Sequence, residues 1–122
     1  MNDNDVITMK AKAFAIRIVR LYQHLTENKK EFIMSKQLLR CGTSIGANRT
    51  EAVRAFSGKD FIHKNEIALG ECAETLYWLE LLSDTNYLTH KEFTSISADG
   101  TELLKLLISA LKTLKTKKTS DI

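Results

Sequence analysis

MSKQLLRCGTSIGANRTEAVRAF, residues 34–56, decides the fold. Apolar and small side chains fall at Met34, Leu38, Cys41, Ile45, Ala52 and Phe56, in steps of four, three, four, seven and four. That spacing puts all six on one face of a helix. Asn48 lies on the same face, where a bundle core expects an aliphatic residue. Gly42 and Gly46 sit inside the run, each costing about 1 kcal/mol relative to Ala in a helix interior. A helix that keeps two glycines and an inward-facing Asn is expected to pack closely against a neighbour.

Upstream, residues Asp5 to Thr26 read as a first helix. Ile7, Ala11, Phe14, Ile18, Leu21 and Leu25 form its stripe, and Asp3 or Asp5 is available to cap it. A second apolar set, Ala13, Ile16 and Val19, points away from that stripe. Either the helix is broadly buried, or these residues meet another subunit. Lys10, Arg17 and His24 step by seven along one flank, with Arg20 beside them. The polar run Thr26 to Lys30 joins this helix to the second, which is expected to stop near Ser57-Gly58.

Downstream, Lys59 to Thr85 reads as a third helix. Its stripe is Ile62, Asn65, Leu69, Cys72, Leu76 and Leu79, and Ser57 or Asp60 can cap its start. Tyr77 and Trp78 follow helical spacing, as core or interface aromatics do. Thr89 and Glu92 fit a capping box that opens a fourth helix, His90 to Thr116. Phe93, Ile96, Gly100, Leu103, Leu107, Leu111 and Leu114 form its stripe. Lys112, Lys115, Lys117 and Lys118 suit its negative dipole end, and the last few residues are expected to fray.

Four amphipathic helices and three short polar connections give an all-α, antiparallel up-down-up-down four-helix bundle. One domain spans residues 1–122. The absence of proline and the five glycines agree with long uninterrupted helices. No apolar run approaches the roughly 20 residues that span a bilayer. The polar, acidic N-terminus is unlike a secretory signal, so a cytoplasmic protein with reduced Cys41 and Cys72 is expected.

Charge is unevenly distributed. Residues 1–58 carry +5, residues 59–102 carry −6 and residues 103–122 carry +4. Such segments can bind a polyanion, attract a second subunit or simply solvate helix faces. Lys36, Arg40 and Arg54 lie opposite the core stripe, facing water, and Arg49 lies nearer the core edge. Asn48 and Asn65 fall within about one turn of each other across the second and third helices. A polar network of Asn48, Asn65, Ser44 and Glu51, with Thr43 nearby, is expected to fix helix register. A ligand site inside the bundle is the sharper alternative.

Chemistry-bearing motifs are missing. His24, His63 and His90 lack the Glu-x-x-His pattern of bundle metal sites. Cys41 and Cys72 form no Cys-x-x-Cys unit. Gly42 and Gly46 sit mid-helix without the Lys-Ser/Thr of a phosphate loop. No enzyme, metal or cofactor is expected.

The residues Gln37-Leu-Leu-Arg40, Thr43-Ser44-Ile45, Asn48, Glu51 and Ala52 resemble a known family. So do Ile67-Ala68-Leu69, Glu71, Glu74-Thr75 and Tyr77-Trp78-Leu79. The chain resembles, from about Ala11 to Leu114, the bacterial four-helix-bundle family of the ribosomal-RNA intervening-sequence protein. That family is itself similar to the accessory variability protein of diversity-generating retroelements. Arg49-Thr50 and Ala52-Val53 depart from its usual small residues. The resemblance implies a homopentamer with a basic surface, and retroelement relatives that bind nucleic acid and a reverse transcriptase. The expected function is therefore a non-enzymatic, oligomeric accessory protein. It would bind RNA or DNA phosphates through Lys10, Arg17, Arg20, Lys36, Arg40 and Arg54. The alternatives are a protein-interaction scaffold and a small-molecule binder in the core.

Overall fold

Four helices form where the apolar stripes lie: α1 (Asp3–Glu27), α2 (Met34–Val53), α3 (Gly58–Asp84) and α4 (His90–Ser120). The computed structural model describes residues 3–120, with side chains from 6 to 114. The expected Asp3 or Asp5 cap and the Lys115, Lys117 and Lys118 side chains lie outside the described residues. Successive helices pack as neighbours, and α4 returns to α1, so the chain goes up, down, up and down. The α1–α4 contact is the least extensive of the four. Among the described residues, no helix is long and apolar enough to cross a membrane.

The core follows the stripes of α1, α2 and α4, whereas on α3 the buried set is Asn65, Ala68, Cys72, Thr75, Leu79 and Leu82, and the expected Ile62, Leu69 and Leu76 are only partly buried. Ile7, Ala11, Phe14, Ile18 and Leu25 of α1 are buried, as are Leu38, Cys41, Ile45 and Ala52 of α2. Ala68, Cys72, Leu79 and Leu82 of α3 and Ile96, Leu103, Leu107 and Leu111 of α4 complete it. The α2 glycines serve close approach at one position. A Cβ on Gly42 would stand 2.7 Å from Ile18 Cγ2, whereas one on Gly46 would meet Ala11 no closer than 3.7 Å.

Helix ends explain the largest departure from the expected stripe. α2 stops at Val53, three residues before Phe56, because the chain must reverse into α3. Phe56 therefore leaves the core face and is fully exposed, at 107 %. Gly58 is not a stop signal. It is the first residue of α3, and the Ser57 hydroxyl accepts a hydrogen bond from Asp60 N at 3.1 Å. The expected capping box forms: Thr89 N donates to Glu92 Oε1 at 2.8 Å, and Glu92 N to Thr89 Oγ1 at 3.1 Å. α4 runs to Ser120, beyond the expected Thr116.

The other two connections are also built. After α3, Asn86 takes a left-handed conformation, φ 67°. Tyr87 N reaches Leu82 O and Asn86 N reaches Ser83 O, which satisfies the last carbonyls. Between α1 and α2, the Glu31 carboxylate accepts from the backbone N–H groups of Ile33, Met34 and Ser35 at 3.2, 3.1 and 2.7 Å. Ser35 Oγ returns a bond to Glu31 O at 2.7 Å. Burial alone would raise the Glu31 pKa, but these donors outweigh it and hold the carboxyl below its ordinary 4.5.

Candidate functional site

The six cations expected to meet phosphate divide into two groups. Lys10 pairs with Glu102, and Arg17 pairs with Asp99 at 2.7 Å, both across the α1–α4 seam. The hydrogen bond that Lys10 donates to Glu102 lifts the Lys10 pKa above its ordinary 10.5. Arg17 also donates to Ser95 O at 3.2 Å and Ser95 Oγ at 3.0 Å. Arg40 of α2 reaches Glu71 and Glu74 of α3. Glu74 is held below the usual carboxylate range first by the Trp78 indole N–H, 3.0 Å away, and then by Arg40.

Arg20, Lys36 and Arg54 are exposed and enter none of the ion pairs between described side chains. The energetics keep all six in play. An exposed ion pair contributes about 0–1 kcal/mol, so a polyanion can displace its carboxylate partner.

The structure brings two of the six together. Arg17 and Arg20 line a groove of about 450 Å³ between α1 and α4. Leu21, Leu88 and Ile96 floor it, and His24 and Lys91 stand on its rim. The strip of Arg17, Arg20 and His24 along one flank of α1 thus becomes one wall, and the start of α4 becomes the other. Glu92 also lines the groove, with one oxygen taken by the Thr89 backbone N–H. Lys10 lies further along the same seam, beside a smaller hollow of about 150 Å³ next to Phe14 and Asp99. Lys36, Arg40 and Arg54 belong to α2 and its C-terminal turn, away from the groove.

The expected polar network separates into three parts. Asn48 donates to Ser44 O and Ser44 Oγ, both at 2.9 Å, within its own helix. Glu51 is exposed and pairs with Lys64 at 3.6 Å. Asn65 is fully buried, donates to Phe61 O at 2.8 Å and accepts from Arg49. Thr43 bonds back to Leu39 O at 2.7 Å. Asn48 and Asn65 therefore do not share a network. Arg49 lies on the buried side of α2 and takes the place expected for Asn48, at 0 % exposure rather than at the core edge. Its guanidinium carbon sits 5.5 Å from the Phe61 ring centroid. The Arg49 side chain, not Asn48, meets Asn65.

The second apolar set read from the α1 spacing lies at the surface, with further apolar side chains beside it. Ile16 is 47 % exposed on α1, with Met9 and Val19 also in water, so the second apolar set faces out of this chain. Phe32 and Ile33, displayed by the Glu31 cap, are exposed too. Cys41 and Cys72 are buried free thiols. Cys41 Sγ accepts from Thr75 Oγ1 at 3.2 Å. No cluster of three metal-ligating side chains occurs among the described residues.

Comparison with known proteins follows the fold. The chain aligns with a crystal structure from Bacteroides thetaiotaomicron VPI-5482, a protein of unknown function from the S23 ribosomal protein family. The two are 54 % identical, with a TM-score of 0.89, over 91 % of this chain and 99 % of that one. No curated protein matches the chain. The model of the 23S rRNA-intervening sequence protein family matches residues 3–109. With that match over most of its length, the chain belongs to the 23S rRNA-intervening sequence protein family.

Proposed function

We propose that this protein is a non-enzymatic, oligomeric accessory protein that binds nucleic acid through phosphate contacts. The observation that carries the reading is the meeting of Arg17, Arg20, His24 and Lys91 around one groove. Arg20, Lys36 and Arg54 add exposed cations outside any ion pair between described side chains. The family is named for sequences that intervene in 23S rRNA, which agrees with a nucleic-acid partner. Each contact is weak, so self-association would multiply them on one particle. The exposed Met9, Ile16 and Val19 offer an apolar face for that association.

The test is fluorescence anisotropy with a labelled RNA and a labelled DNA across a salt series. Micromolar binding is expected, weakening steeply with salt at a slope that counts displaced counterions. Replacing Arg20, Lys36 and Arg54 together with Gln should flatten that slope. No binding to either probe at low salt would overturn the reading. The apolar α1 face favours a second reading, a protein-interaction scaffold, in which Ile16→Glu abolishes assembly without any nucleic-acid role.

A further inference from the structure

We infer that the α1–α4 groove seats one unstacked base of a single-stranded nucleic acid, with Arg20 and Lys91 on the phosphates beside it. This deepens the nucleic-acid reading above and rests on it. The argument begins with the shape of the groove. Its volume, about 450 Å³, lies within the range of sites that take small organic groups. Its floor is apolar, since Leu88 and Ile96 are core residues and Leu21 packs against the same core. Its rim is polar and cationic. A ligand that fits must therefore carry negative charge beside a flat, weakly hydrated body. A nucleotide in a single strand has both.

The rim residues divide by what already holds them. Arg17 is held by Ser95 and Asp99 in the free protein, so it braces the wall, and a phosphate must displace Asp99 to reach it. His24 Nδ1 lies 2.9 Å from the Asn28 amide. Glu92 is the one carboxylate among the described lining residues, and it is turned into the capping box. Arg20 and Lys91 are exposed and enter no ion pair between described side chains, one on each wall. A phosphate on either side of the seated base meets a cation of opposite sign.

This arrangement discriminates between nucleic-acid forms. A duplex keeps its bases stacked and presents phosphates outward. It can touch the rim but leaves the apolar floor uncovered. A single strand can turn a base out of the stack and cover that floor, as sequence-tolerant strand binders do. Preference for the strand is therefore a property of the groove, whereas affinity for phosphate is shared with cations elsewhere on the surface.

The experiment compares a labelled 12-nucleotide oligo(dT) with a labelled 12-base-pair duplex at one salt concentration, by anisotropy. The strand should bind about fivefold more tightly, the scale of covering a small aliphatic patch with one base face. Leu21→Gln makes the partly buried floor of the groove polar without changing charge, and should abolish that preference while leaving duplex affinity unchanged. Lys36→Gln should weaken both probes alike. As an independent readout, an oligo(dT) with one central 4-thiothymidine should photo-cross-link to residues 20–24 and 88–96. A duplex that binds as tightly as the strand, an unchanged preference in Leu21→Gln, or cross-links confined to other segments would each overturn the groove proposal. The broader reading would survive each of those results, and fails only if neither probe binds.

Discussion

Two glycines four residues apart on α2 should respond to alanine with opposite signs. The Gly42 Cα faces Ile18, and an added Cβ would lie 2.7 Å from Cγ2 and 2.9 Å from Cγ1. Carbon atoms settle near 3.5–4.0 Å, so Ile18 must retreat by about 1 Å. It has nowhere to go: it is completely buried, and its β-branched side chain has one strongly preferred rotamer in a helix. Overpacking of this kind costs about 1–3 kcal/mol. Two rigid neighbours put this site at the upper end. The better helix propensity of Ala returns about 1 kcal/mol. Gly42→Ala should therefore lose about 1–2 kcal/mol net, a few degrees in Tm. At Gly46 the nearest atom is 3.7 Å away, an ordinary contact, so Gly46→Ala should gain up to about 1 kcal/mol. Urea unfolding followed by circular dichroism, at one protein concentration for all variants, measures both. In an Ile18→Ala background, Gly42→Ala should no longer destabilise, because the clashing carbons are gone. A Gly42→Ala protein as stable as wild type would refute the close-approach argument.

Other predictions follow from the polar groups. Asn48→Leu should change stability by less than about 1 kcal/mol, because Asn48 bonds only within its own helix. Asn65→Leu should cost about 3 kcal/mol by depriving the buried Arg49 of an acceptor. The same unfolding curves separate the two. The Glu31 pKa is depressed in the folded state, so its contribution is complete above the unfolded carboxyl's 4.5 and is lost as pH falls through the lower folded value. Glu31→Gln should cost about 1–2 kcal/mol at neutral pH, like the loss of a helix cap, and should flatten the fall in stability that wild type shows as pH drops below the unfolded carboxyl's value. Burial pushes the Cys72 thiol up to about 12 and raises that of Cys41 as well. Neither should react promptly with Ellman's reagent at pH 8 in the folded protein, and both should react once urea unfolds it. A fast native reaction would show that the thiols are less enclosed than the structure indicates.

The bundle was legible in the sequence because its physics is local and periodic. The α1 stripe from Ile7 to Leu25 and the Thr89–Glu92 box can be read from spacing alone, without knowledge of any partner. Phe56 could not be placed that way. Its i+4 step from Ala52 continues the stripe, but the helix ends at Val53, and spacing says nothing once the helix has ended. Arg49 was misplaced for another reason. Charged residues are almost never fully buried, so its neighbour Asn48 looked like the better candidate for the interior. That Asn65 needed a buried partner was evident, but the choice of Arg49 depends on how α2 is rotated against α3. The ion pairs of Lys10, Arg17 and Arg40 depend in the same way on register between helices distant in sequence. Their positive charge could be counted, but not its neutralisation. The groove was half visible, as the strip Arg17, Arg20 and His24. Its second wall comes from the start of α4, more than sixty residues later in the chain. Glu31 lies just after the polar run Thr26 to Lys30 and carried no assigned role, and only the folded turn shows it closing the start of α2.

The seam between α1 and α4 has a further consequence. Three of the bundle's edges are closed by extensive packing. The fourth is the least extensive and is laced by exposed charge, Lys10 to Glu102 and Arg17 to Asp99. Such exposed pairs weaken as salt is added and the screening length falls from about 10 Å at 0.1 M to about 3 Å at 1 M, whereas buried aliphatic contacts barely change. The molecule therefore resembles a book with a tight spine and an ionic clasp. Raising the salt loosens the clasp and lets α4 swing outward more often, and amide protons along that helix should exchange sooner than those of α2 and α3. Under the proposed function, a polyanion that competes for Arg17 would act on the same clasp, and its binding would be coupled to breathing of the bundle through one pair of charges.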